Sequence, residues 1–137
     1  MKMRRDFILL DTSLIVALLD KKDSLHKSAI EKIQNASSNK FAILDVILGE
    51  AYSVIARRCR ERKYDCENAI KVLREFESGM NIIPIQLNDL HDEVVDNLIK
   101  DSTLNYNDWV LLIFALKNGL SILTLDKKLE EKLTLSS

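Results

Sequence analysis

The sequence predicts an α/β fold with a parallel sheet and helices on both faces. Short apolar runs that suit buried strands alternate with longer stretches of helical periodicity. Gly and Pro are scarce, three and one in 137 residues. Two of the apolar runs end directly in an aspartate, Asp11 and Asp126, at the strand ends where open α/β sheets place their sites.

The elements follow in order. Phe7–Leu10 (FILL) reads as a buried strand, and a nearly all-apolar helix follows over about Ser13 to Leu19. Leu25, Ala29, Ile33 and Ala36 fall three or four apart, giving an amphipathic helix that ends near Ser37–Asn39. Phe41–Leu44 is a second strand, and Asp45 is placed to cap a long helix to about Arg62. Ala69, Leu73 and Phe76 mark the next helix, which Gly79 ends. Ile82–Ile85 is a third strand, and Pro84 argues against a central place for it. Leu87, Leu90, Val94 and Leu98 give another amphipathic helix. Asn105 to Lys117 is apolar round most of its circumference, so it should be buried, with Gly119 as its stop. Ser121–Leu125 is the fourth strand, and Asp126 opens a last charged helix.

The length suits one domain over residues 1–137 with a core able to fold alone. Net charge is −1, so any affinity for nucleic acid must come from a local basic patch. Lys2, Arg4 and Arg5 precede an apolar run, as in an export signal, but Asp11 interrupts it after four apolar residues. The run Trp109–Leu116 is far shorter than the roughly 20 residues of a membrane helix. The expectation is a cytoplasmic protein. Cys59 and Cys66 have neither a CxxC spacing nor a histidine pair nearby, and fit unpaired thiols in a reducing compartment better than a disulfide scaffold. No GxGxxG or GxxxxGK[ST] is present, which sets aside dinucleotide and P-loop chemistry. A dehalogenase-like phosphatase would need an acid two residues after Asp11, where Ser13 stands. A receiver domain would need an acidic pair before its phosphoacceptor strand, and none is there.

Asp11, Glu50, Asp108 and Asp126 are the candidate catalytic and metal-ligating residues. Each also has an ordinary use: Asp11 and Asp126 as helix caps, Asp108 in a first helical turn favoured by the helix dipole, Glu50 as a solvated helix residue. Glu50 is the hardest to set aside. It lies in the apolar stretch VILGEAYSVIA, where a carboxylate must pair, bind metal or shift its pKa. Carboxylates that converge repel one another, which raises at least one pKa and is relieved by a hard divalent cation such as Mg²⁺ or Mn²⁺. Such an ion activates a water toward a phosphodiester, and a second one about 4 Å away can hold the leaving oxygen. No side-chain nucleophile with an adjacent base offers a rival route.

DTSLIVALL, Glu50 in VILGEAYSVIARR, Asp108 in NDWVLLIFALKNG and Asp126 in ILTLDKKL together resemble the PIN domain, in order and spacing over almost the whole chain. The small size resembles its VapC-type toxins. The resemblance implies a three-layer α/β/α sandwich with a parallel sheet of four or five strands, and a Mg²⁺- or Mn²⁺-dependent ribonuclease leaving a 5′-phosphate. Asp11 and Asp108 would be the main ligands, Glu50 a ligand or water holder, and Asp126 a more distant acid or one serving a second ion. Ser13 matches the polar residue supporting the first acid, and Thr124 a similar position in the last motif. It also implies an RNA substrate, an antitoxin partner reaching the acidic pocket, and a homodimer. Trp109 departs from the small residues usual after the third acid and is read as core. Arg57, Arg58 and Arg62, with Arg60 and Lys63, lie beyond Glu50 as candidate phosphate contacts or as a basic helix terminus. His26 and His91 are read as structural and surface residues. The rival function is a catalytically idle domain that binds RNA or protein.

Overall fold

The computed structural model describes residues 7–136. Lys2, Arg4 and Arg5, weighed above against an export signal, lie outside them. The chain is a three-layer α/β/α sandwich around a four-stranded parallel sheet. Its strands are β1 (Ile8–Leu10), β2 (Phe41–Leu44), β3 (Asn81–Ile83) and β4 (Ser121–Leu123). Its helices are α1 (Thr12–Leu19), α2 (His26–Gln34), α3 (Asp45–Arg62), α4 (Cys66–Ser78), α5 (Leu87–Lys100), α6 (Tyr106–Asn118) and α7 (Lys127–Ser136). The sheet order is β3-β2-β1-β4. The first three strands step one way across the sheet and β4 returns to the other side of β1. The register sets Leu9 opposite Ala42 and Ile122, and Leu10 opposite Leu123. Strand order therefore reverses between β1 and β4, the crevice where α/β folds bind ligands. The residues leaving it are Asp11 and, three after Leu123, Asp126.

The sheet core is wholly apolar, with Leu9, Leu10, Ala42, Ile43 and Leu44 showing no exposure. Such burial on both faces is why these runs carry no alternation. α6 buries Trp109 through Ile113 and Ala115. Side chains as buried as Leu111 each contribute about 1.5–3 kcal/mol relative to an exposed position. Gly119 ends α6 at φ 64, a left-handed conformation that costs glycine little.

Four expectations need correction. Asp45 does not cap α3: Leu44 is the N-cap, Asp45 is the first helical residue, and its carboxylate instead accepts from the Ile85 N–H at 3.3 Å. β3 begins one residue earlier than the apolar run and ends before Pro84, at a sheet edge, so the missing N–H disturbs no ladder. β4 stops at Leu123, which frees Thr124 and Leu125 to turn over the end of β1. Cys59 and Cys66 are not free thiols; they form a disulfide, with Cα atoms 5.3 Å apart. α3 ends at Lys63 in the left-handed conformation (φ 56), the chain reverses, and α4 starts at Cys66 beside the last turn of α3. No helix among the described residues is long and apolar enough to cross a membrane.

Candidate active site

Asp11 follows β1 and caps α1, accepting from the Leu14 N–H at 2.9 Å. It is 3% exposed. A carboxylate so buried needs several donors, and they are present. Ser13 Oγ lies 2.8 and 2.9 Å from its two oxygens, and the Thr124 hydroxyl donates to Oδ2. Thr124, 2% exposed, in turn accepts from the Asp126 N–H at 2.9 Å, and Ser13 Oγ accepts from the Leu125 N–H at 3.2 Å. The β4–α7 turn is thus hung on the same hydroxyls that hold Asp11. Asp126 caps α7, its Oδ1 accepting from the Lys128 N–H at 2.9 Å.

Asp108 sits in the first turn of α6 within a capping box: its N–H donates to Asn105 Oδ1 at 2.8 Å, and its Oδ2 accepts from the Asn105 N–H at 3.1 Å. Glu50, in α3, is half-buried. The Thr12 hydroxyl donates to Oε1 and Asn107 Nδ2 to Oε2, the latter at 3.0 Å.

The four carboxylates, brought from β1–α1, α3, α6 and the β4–α7 turn, line one cleft of about 400 Å³ with Thr12, Ser13 and Asn105. Among the described residues none of them pairs with a Lys or Arg. The charge shows in the protonation equilibria. Burial, then repulsion from Asp126, Glu50 and Asp11, raises Asp108 to about 6 against the backbone hydrogen bond from Asn105. Burial also raises Asp11, opposed by Thr124, Leu14 and Ser13, with Asp126 adding repulsion. Oxygen donors with uncompensated charge suit a hard divalent cation. Among the described residues no three acids, His or Cys are grouped tightly enough to hold an ion as they stand. The fit therefore rests on donor chemistry and a shared cleft.

The sequence model of the PIN domain matches residues 8–132. The chain belongs to the PIN domain family. Its fold is similar to that of VapC20 from Mycobacterium tuberculosis, a toxin that cleaves the sarcin–ricin loop. The TM-score is 0.75 at 17% identity, covering 91% of this chain and 94% of the other. It is also similar to PAE2754 from Pyrobaculum aerophilum, with TM-score 0.69, 24% identity, and 98% and 89% covered. No curated protein matches the sequence.

The basic residues of this PIN domain divide. Arg57 and Arg58 both reach the cleft. Arg58 is already engaged, its Nη1 lying 3.1 Å from Asp20 and 2.6 Å from Asp23, and Arg62 stands 3.6 Å from Asp20. Arg57 is exposed and is the candidate best placed to meet a phosphate. His26 is structural, its Nδ1 2.8 Å from the Ala17 carbonyl, and His91 is exposed and hydrogen-bonded to the Tyr106 hydroxyl at 2.9 Å. Trp109 is core, its Nε1 donating to the Asp101 carbonyl at 3.2 Å. A second hollow of about 220 Å³ between α1, α3 and α4 is mostly apolar, with none of the four acids in it.

Thr12 and Asn107 were missed at the sequence level. Each is the polar neighbour of an acid, in DTS and in NDW. That adjacency was the available signal, but it does not say that both reach across to Glu50.

The raised Asp108 gives a pH dependence with a definite sign. Its folded value, about 6, lies above the ordinary 3.8, so the fold holds the proton more tightly than the open chain. That stabilisation is complete below about pH 4 and is lost as pH rises through about 6. Metal-free Asp108→Asn should therefore be more stable than wild type at pH 7.5, by order 1 kcal/mol after discounting for solvent screening. At pH 3.5 the two should match. Urea unfolding with chelator at both values checks it, and a wild type more stable than the variant at pH 7.5 would contradict it.

Proposed function

We propose that this PIN domain, a single domain over residues 1–137, is a Mg²⁺- or Mn²⁺-dependent endoribonuclease. The observation that carries this is the shared cleft: four carboxylates from four parts of the chain, two with raised pKa, and no basic partner among the described residues. Asp11, Asp108 and Glu50 would hold the cation, with Asp126 beside them. The bound ion would lower the pKa of a water and offset charge on the attacked phosphate. The rest falls to the protein. Ser13, Thr124 and the Leu14 N–H fix Asp11, the Asn105 N–H fixes Asp108, and Arg57 meets the RNA backbone at the rim.

The likeness to VapC20 supports a structured RNA as substrate and the role of toxin in a toxin–antitoxin pair. An antitoxin would then cover the acidic cleft, the toxin would act in the cytoplasm, and two copies would form a homodimer. The deciding experiment is cleavage of a structured RNA by purified protein with Mn²⁺ and then with excess chelator. Cleavage that appears with Mn²⁺ and vanishes with chelator supports the reading. RNA binding without cleavage in either condition would favour an idle binding module.

A further inference from the structure

We propose that Asn107, together with Thr12, is a positioning residue that sets where Glu50 stands relative to Asp11 and Asp108. The inference rests on the metal-nuclease reading of the cleft and assigns to it two residues that reading does not use.

Glu50 is the one acid of the four that caps no helix. Asp11, Asp108 and Asp126 are each fixed by hydrogen bonds within their own turn. Glu50 projects from the second turn of α3 on a flexible two-methylene stem, and among the described residues the hydrogen bonds to its carboxylate come from outside that helix. Thr12, 38 residues away in sequence, donates to Oε1; Asn107, 57 residues away, donates to Oε2 at 3.0 Å. Thr12 is the first residue of α1 and directly follows Asp11, while Asn107 is the second residue of α6 and directly precedes Asp108. The two hydrogen bonds therefore tie α3 to the helix starts that carry Asp11 and Asp108.

The chemistry of the donors matters as much as their placement. A hydroxyl and an amide fix the carboxylate without neutralising it, so the cleft keeps its negative charge. A Lys or Arg at position 107 would satisfy Glu50 equally well and compete with a cation. Each donor takes one oxygen and leaves that oxygen a further lone pair directed elsewhere. Partners that orient a ligating carboxylate in this way typically account for ten- to a hundredfold in metal affinity.

The test is a double-mutant cycle read by Mn²⁺ titration calorimetry and by kcat and KM for RNA cleavage. Asn107→Ala should weaken Mn²⁺ binding about tenfold and lower kcat at subsaturating Mn²⁺ while leaving KM for RNA unchanged. In the Glu50→Gln background the same substitution should change neither quantity, because its effect passes through Glu50. Thr12→Val should behave like Asn107→Ala, and Thr12→Ser should restore wild-type affinity. Should Asn107→Ala fail to fold, Asn107→Ser, which keeps a helix-start residue at the position, takes its place. Unchanged Mn²⁺ affinity in Asn107→Ala overturns the proposal. So does an equal loss in both backgrounds, which would mean that Asn107 acts without Glu50, or a raised KM alone, which would make Asn107 a direct RNA contact. Failure of the nuclease reading itself looks different: wild type would neither bind Mn²⁺ nor cut RNA, and the positioning role would fall with it.

Discussion

Asp11→Asn and Asp108→Asn should each slow RNA cleavage in Mn²⁺ roughly a thousandfold, about 4 kcal/mol of lost transition-state stabilisation. The substitution removes a charge while keeping most of the local hydrogen bonding. At position 108 the amide oxygen can still accept from the Asn105 N–H, so the α6 cap survives. Position 11 is less forgiving. Thr124 donates to Oδ2 and already accepts from the Asp126 N–H. An amide nitrogen facing Thr124 would turn that hydroxyl into an acceptor twice over and leave its proton to find another partner. That loss works against the relief of no longer burying a charge, so metal-free Asp11→Asn should gain less stability at neutral pH than Asp108→Asn does. Measuring kcat/KM beside urea unfolding for both variants separates the two effects. If either variant cuts as fast as wild type under the same metal treatment, the mechanism is wrong.

Opening the Cys59–Cys66 bridge should lower stability by about 2 kcal/mol, as expected for a loop this short. The bridge closes the reversal between α3 and α4 around Lys63, a residue without glycine's freedom held at φ 56. Such a conformation costs on the order of 1–3 kcal/mol and persists where its surroundings enforce it. The Lys63 and Tyr64 N–H groups both converge on the Cys59 carbonyl, so the turn and the bridge support each other. Urea unfolding of wild type with and without a dithiol reductant, beside Cys66→Ser, measures the effect. Identical midpoints in all three would show that the bridge does not form in solution. Disulfides are rare in reducing compartments outside hyperthermophiles, so the same measurement bears on the proposed cytoplasmic location.

Much of this fold could be read from the chain because its local signals agree. FILL and FAIL are apolar without alternation because β1 and β2 have a strand on each side and are buried on both faces. Gly119 stands where α6 needs a left-handed residue. Pro84 marked an edge, and β3 is at the edge. What escaped depends on contacts between distant elements. The partners that occupy Arg58 are Asp20 and Asp23, in the loop after α1, so a basic cluster that looked available is partly spent on holding that loop. Asp45 looked like a cap but serves the segment after β3. The cysteine pairing depends on how sharply the chain reverses at Lys63, which no periodicity reports. Within the cleft, the resemblance supplied Ser13 and Thr124, and the structure gives each a hydrogen bond to Asp11. Thr12 and Asn107 carried no comparable pattern.

Three of the four acids do two things at once. Asp11, Asp108 and Asp126 close the starts of α1, α6 and α7, so three helix N-termini, each with a partial positive charge, face one cleft. That arrangement lets the metal-free protein tolerate such a concentration of acids. It also means that the helix starts themselves set only a weak demand on the charge at these positions. At positions 11 and 126, which cap their helices, asparagine or serine would serve the helix start about as well as aspartate, and at 108 the cap itself is Asn105, with the acid closing the capping box. The helix starts specify an oxygen at each place, and the negative charge is what they leave for chemistry.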